Sequence, residues 1–282
     1  MLDQICLLAE FSLFCVNAFS ELYTFFLISS SDNYLKKMAE KMDRGSDAMK
    51  AHFSDVEDMS IRQTKRGWCQ ELLGCEARTE FKWFKGEEQF ASSLEEASCC
   101  CRLCCSPIHP FKMEVKELNT EAEILTIDRP FRCPIGGCKC CCYQSAEFLS
   151  GGQLLGSIKE TCFFCIPMFK IYDDKEQPMY ILHQPTCCCG TCVNCCAEGN
   201  PCSKKGCCKV SFRVYPIAQE GKTSGDAEYQ GMILKRPKSA MTEIFTEAEV
   251  FDVNFPDTSS NDQKAILAGT SVFINANFFE GE

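Results

Sequence analysis

Histidine is scarce in this chain: His52, His109 and His183 are the only three. They stand far apart, and no serine–histidine–aspartate set, phosphate-binding glycine loop or HExxH helix accompanies them. Hydrolytic and nucleotide-dependent chemistry are therefore not indicated, and an enzyme is the least expected class. Basic charge is also short. With 29 Lys and Arg against 39 Asp and Glu, the net charge is −10, which argues against a general nucleic-acid binder. A secretory leader is missing its parts as well. Residues 1–28 are apolar, but Asp3, Glu10 and Glu21 interrupt them. No basic segment precedes that stretch and no small-residue cleavage site follows it.

Cysteine is what the chain has in excess, with 25 residues. Most fall in three dense clusters: Cys99–Cys105, Cys138–Cys142 and Cys187–Cys196. Adjacent cysteines make poor disulfide frameworks, because each bridge needs a particular Cβ separation and neighbouring side chains diverge. A tetrahedral zinc site takes pairs of ligands a few residues apart, often with histidine. Cys162-x-x-Cys165 and Cys192-x-x-Cys195 keep that option open. A run such as CKCCC suits S-acylation better, since several thiols at one exposed place can each receive a fatty chain. Two or more chains turn marginal membrane binding into stable anchoring. A reducing, cytosolic setting with free or acylated thiols follows.

The chain reads as two parts. Residues 1–68 form a variable N-terminal extension, apolar and then charged, with helical composition between Lys36 and Arg66. Residues 69–282 form the main domain, built from short β-prone segments separated by Pro, Gly, Asn and charged turns. Candidate strands lie at 80–84, 111–118, 123–127, 147–149, 154–158, 169–172, 179–182, 209–215 and 232–235. Their spacing suits a barrel or a sandwich rather than a parallel α/β sheet. In KVSFRVY, Val210, Phe212 and Val214 share one face. Lys235, Arg236 and Lys238 form a small basic patch, expected in a solvated loop.

The segment 262–279 predicts a helix. Between Lys264 and Glu280 it carries no charge, and Ala265, Ile266, Leu267, Val272, Phe273 and Ile274 make it apolar around most of its circumference. Such a helix is either buried in protein or spans a membrane. Fifteen residues give roughly 22 Å, short of the ~30 Å hydrocarbon core. Length thus favours a helix buried inside a β-barrel over a single-pass C-terminal span.

CCRLCCSPIHPFKMEV, IDRPFRCPIGGCKCCCYQ, LGSIKE with FKIYDD, and EIFTEAEVFDVNFP with KAILAGTSVFINANFFE occur here in one order. Together they resemble the phospholipid scramblase family over residues 69–282. The resemblance implies a mainly β fold: a closed antiparallel tubby-like barrel of about twelve strands around a hydrophobic C-terminal helix. It implies calcium-activated, ATP-independent, bidirectional movement of membrane phospholipids between leaflets. It also implies palmitoylation at Cys138, Cys140, Cys141 and Cys142, and a place on the cytoplasmic face of the plasma membrane. The alternative is a palmitoylated, membrane-tethered module that binds lipids or protein partners without transport. The family's EF-hand-like loop falls on 247–258, where Glu247, Glu249, Phe251, Val253 and Asp257 are the candidate calcium ligands. Asp252 replaces the usual glycine and Thr258 the bidentate acid, so binding is expected to be weak, about 10⁻⁴ to 10⁻³ M or poorer.

Overall fold

The computed structural model describes residues 39–40, 42–64, 79–97, 108–133, 142–163, 165–187, 192–194, 209–220, 228–236 and 247–279. The chain divides into Met1–Asp43 and Arg44–Glu282, and the fold described here belongs to the second unit. Residues 44–53 form a helix, α1. Among the described residues fourteen strands follow: β1 (Asp58–Thr64), β2 (Glu80–Lys85), β3 (Glu88–Glu96), β4 (Phe111–Glu117), β5 (Glu123–Arg129), β6 (Ser145–Ser150), β7 (Gln153–Glu160), β8 (Met168–Asp173), β9 (Pro178–His183), β10 (Thr186–Cys187), β11 (Cys192–Val193), β12 (Val210–Pro216), β13 (Gly231–Arg236) and β14 (Glu247–Asn254). The last element is the helix α2 (Asn261–Phe278).

Twelve of the strands close an antiparallel barrel in the order β1-β14-β13-β12-β9-β8-β7-β6-β5-β4-β3-β2. The small pair β10-β11 stands apart from it. Closure is made by β1, which pairs with β14 through Met59↔Val253 and Ile61↔Phe251, and with β2 through Ile61↔Trp83. The barrel therefore takes in residues 58–64, N-terminal to the boundary at residue 68 expected from composition. Arg62 and Gln63 gave that segment a polar, helix-like look. Its apolar residues instead follow the two-residue period of a half-buried strand.

A barrel of eight strands is just filled by its own side chains, and twelve strands leave a wider lumen. Here α2 occupies it. Every residue from Ala265 to Ala276 is buried, including Ile266, Leu267, Val272, Phe273 and Ile274. The helix is thus enclosed by protein, and the single-span alternative is set aside. Among the described residues, no helix is long and apolar enough to cross a membrane. Ser260 starts α2 with a capping box: its hydroxyl accepts from Gln263 N, and the Gln263 side chain accepts from Ser260 N. Two hydroxyls within α2 turn back on their own helix. Thr270 Oγ1 donates to Ile266 O at 2.8 Å and Ser271 Oγ to Ala268 O at 2.7 Å. Gly269 lies against Phe148, where a Cβ would come within 2.6 Å of the ring. The helix backbone can approach β6 only because that side chain is absent.

Up-and-down connectivity gives the barrel two unlike ends. At one, the connections β2–β3, β4–β5, β6–β7 and β8–β9 are short turns. α1 packs at this turn end: Phe53 meets Phe255 edge-on at 6.4 Å, and His52 stacks on Phe90 and contacts Glu117 at 2.6 Å. The longer connections β1–β2, β3–β4, β5–β6, β9–β12 and β13–β14 leave from the other end, together with β7–β8. That loop end is also where α2 finishes.

Candidate functional site

Charged groups are buried beneath the loop end. Arg129 closes β5 and is 1% exposed. Its Nη2 donates to Gln144 Oε1 at 2.9 Å and to Asn277 Oδ1 at 2.8 Å, tying the barrel wall to the last turn of α2. The guanidinium also lies 5.8 Å and 5.9 Å from the ring centroids of Phe111 and Phe273. Gln144 passes the link on: its backbone N donates to Glu160 Oε2 at 3.1 Å and its Nε2 to Arg132 O at 2.9 Å. Lys235 contacts the buried Glu249 carboxylate at 2.9 Å, and its Nζ sits 3.4 Å from the Phe279 ring centroid. A buried His109–Glu95 contact of 2.9 Å lies at the same end. Two cations therefore lie near the C-terminus of α2, where the last carbonyls carry partial negative charge.

The rings of α2 complete this end. Phe278 meets Phe169 at 5.9 Å and stacks with Phe212 at 6.0 Å, while Phe279 meets Phe251 at 6.2 Å. The lumen is filled along its axis, so the arrangement is not a pore. The core helix is tied to the wall by the Arg129–Asn277 hydrogen bond and by Lys235 over the Phe279 ring, while the Lys235–Glu249 pair balances charge within the wall.

The sequence-derived sites separate on this frame. Cys138, Cys140 and Cys141 lie outside the described residues. Cys142 is a partly exposed free thiol on the β5–β6 connection. The expected calcium loop is a strand. Residues 247–254 are β14, paired on both edges, with Phe251 opposite Ile61 and Lys235. Phe251 and Val253 are core residues, and Glu249 is buried beside Lys235. Glu247 begins β14 at the loop end, whereas Asp257 follows it at the turn end. Eight extended residues hold the two ends roughly 23 Å apart, too far for both to ligate one ion. Asp257 instead joins Gln219, Glu228, Tyr229, Gln230 and Thr258 around a depression of about 340 Å³. A sequence match to a loop carries no test of whether neighbouring strands will take up the same residues.

The basic patch also changes character. Lys235 and Arg236 lie on β13, and Arg236 Nη2 donates to Asp252 at 2.6 Å. The three histidines, candidate zinc partners for the thiols, are engaged elsewhere: His52 with Glu117, His109 with Glu95, and His183 stacked on Tyr215 at 4.5 Å. Among the described residues, no group of three or more His, Cys, Asp or Glu could hold a metal ion. The Arg129–Gln144–Asn277 link escaped the sequence reading. Its signal was present in EILTIDR, where Arg129 continues the alternation of Leu125 and Ile127.

The sequence matches the family model Scramblase over residues 51–281. It is 29% identical to phospholipid scramblase 2 of Bos taurus over 212 residues, covering 74% of this chain and 64% of that protein. With phospholipid scramblase 1 of Homo sapiens it shares 27% identity over 188 residues, 67% of this chain and 52% of the relative. Phospholipid scramblase family member 5 of Homo sapiens is 27% identical over 214 residues, 74% of this chain and 69% of that protein. The chain thus spans between half and two thirds of the length of the first two relatives. No solved structure matches it.

Proposed function

The chain belongs to the Scramblase family, and from that premise we propose that it moves phospholipids between the leaflets of a bilayer. The observation that carries this reading is the extent of the match: residues 51–281 include every barrel strand and the whole core helix. Calcium activation, independence from ATP, palmitoylation at Cys138, Cys140, Cys141 and Cys142, and a place on the cytoplasmic face of the plasma membrane are its finer terms.

A headgroup crossing hydrocarbon loses its hydration, so a catalyst must supply a polar path or thin the bilayer. The barrel lumen is not that path, because α2 fills it. Transport in this reading works from outside the barrel, by disturbing the bilayer against which the acylated chain is held. The filled lumen also favours a second reading: a tethered module that binds lipid headgroups or protein partners and transports nothing.

One experiment separates the two. Purified protein is placed in vesicles carrying a fluorescent phospholipid, and outer-leaflet fluorescence is destroyed by an impermeant reductant, with calcium or with chelator and without nucleotide. Loss beyond the outer-leaflet share supports transport. No such loss from protein shown to be folded and bound supports the tethered module. Glu247→Gln with Glu249→Gln tests the calcium ligands: an unchanged calcium response in the folded double variant removes these two carboxylates from the account.

A further inference from the structure

The cysteines and the two ends of the barrel are related in a way that composition did not reveal. Apart from Cys6 and Cys15, every cysteine falls in sequence between strands that are joined at the loop end. None falls in a barrel strand or in a connection of the turn end. All six described thiols obey this rule: Cys133, Cys142, Cys162, Cys165, Cys187 and Cys192. Cys187 and Cys192 face one another at 3.1 Å across the β10-β11 pair. Cys162 and Cys165, on the β7–β8 connection, are exposed free thiols.

The β6–β7 ladder runs on past its last paired strand residues, with Glu160 N donating to Gln144 O at 2.8 Å. The register Ser145↔Lys159, continued outward, sets Cys142 opposite Cys162. On the β5–β6 connection that carries Cys142, the Phe131 ring is 52% exposed. The opposite end of the barrel is covered in part by α1 and bears no thiol among its described residues.

We propose that the loop end is the face of the barrel that meets a lipid bilayer, and that Cys162 and Cys165 are S-acylated there. The proposal rests on the membrane reading above and deepens it. The donor is a long-chain fatty acyl-coenzyme A. The cysteine sulfur attacks the acyl carbonyl, a new thioester forms on the protein, the thioester to coenzyme A breaks, and the thiol proton ends on the coenzyme A sulfur. Chains at Cys162 and Cys165 both leave from the β7–β8 connection, and two attachment points at one end of the barrel restrict tilt as well as adding affinity. Phe131 inserts beside them.

The full chain, expressed in cells fed an alkyne fatty acid, tests the chemistry. Cleavage after Lys159 and Lys170 isolates residues 160–170, whose only cysteines are Cys162 and Cys165. Label on this peptide that hydroxylamine removes, and that Cys162→Ser with Cys165→Ser abolishes, is the expected result. An unlabelled 160–170 peptide from membrane-bound chain overturns the acylation. Orientation is read with bilayers containing brominated lipid. Phe131→Trp is expected to be quenched several-fold more than Leu154→Trp, which reports from the turn end where Leu154 is exposed. Equal or reversed quenching overturns the end-on placement. Vesicle scrambling is measured separately on the same preparations, so failure of either arm with scrambling intact leaves the transport reading standing.

Discussion

Lys235 and Glu249 contact each other at 2.9 Å across neighbouring strands, with side chains only 12% and 5% exposed. Their segments read in the sequence as a strand at 232–235 running into a basic patch, and as a calcium loop at 247–258. Lys235→Met takes the counter-charge from a buried carboxylate and is expected to destabilise the barrel by about 3–5 kcal/mol. Adding Glu249→Leu removes the charge that was left and recovers much of the loss. A double-mutant cycle by urea denaturation reads the coupling. Additive effects would show that the pair is not energetically linked.

Gly269→Ala is the sharpest probe of helix-to-wall fit. The added methyl meets the Phe148 ring, and the expected cost is about 1–3 kcal/mol. Ordinary helix propensity predicts the opposite sign, since alanine is favoured over glycine in a helix interior. A stability measurement therefore decides between close packing and a looser lumen.

Arg129→Lys keeps the charge and loses the fork. A flexible ammonium cannot hold the fixed, planar Nη2 amino group from which Arg129 reaches both Gln144 and Asn277. A loss of about 2 kcal/mol is expected, with faster amide exchange in the last turn of α2 than in its first. Uniform exchange along the helix would mean that the link does not hold this end.

Acid should weaken the fold in two steps. Burial pushes His183 below its usual value; Arg213 adds to this, and the Gln184 carbonyl opposes it. The unfolded chain then takes up the proton first, so stability falls as pH drops below about 6.5. Glu117 is held below its usual value by hydrogen bonds from Thr120 and then His52. Its contribution is present above pH 4.5 and disappears as pH falls further. In melting curves from pH 7.5 to 5, His183→Phe should flatten the first step while keeping a ring against Tyr215. The same slope in variant and wild type would remove His183 from this role.

The strands legible in the sequence were those with dense apolar alternation. FKMEVKE, MFKIYD and VSFRVYP became β4, β8 and β12 within a residue or so of the expected bounds. The helix was legible as well, because its uncharged run is as long as the barrel's interior requires. β3 was not, since EQFASSLEE offers serine and glutamate where a strand usually shows branched residues. Yet Ser93 lies inside, accepting from Trp83 Nε1 at 3.0 Å. β14 was missed for another reason. EAEVFDVN alternates well, but its acids drew the reading towards ligand spacing, and only pairing with β1 and β13 reveals the strand. The gathering of the six described thiols at one end was hidden too, because it follows from strand direction and not from any local pattern.

A chain cut after Ser260 should form strands without reaching a cooperatively packed state. It would keep every strand and lose the residues that fill the lumen. The expected outcome is β-rich circular dichroism without a cooperative melt, and recovery when a peptide of residues 261–282 is supplied. A sharp transition without the peptide would show that the barrel can stand empty.

The placement of α2 after all the strands also sets the order of events at the ribosome. The strands emerge before the helix around which they must close, and the closing pair joins β1 to β14 across nearly the whole sequence of the barrel. Such distant contacts form slowly. Until the final helix is released, the nascent chain exposes open sheet edges and an unfilled apolar face, the features that draw chaperones and invite aggregation. Closing of the barrel therefore waits on α2, the last of its elements to be made.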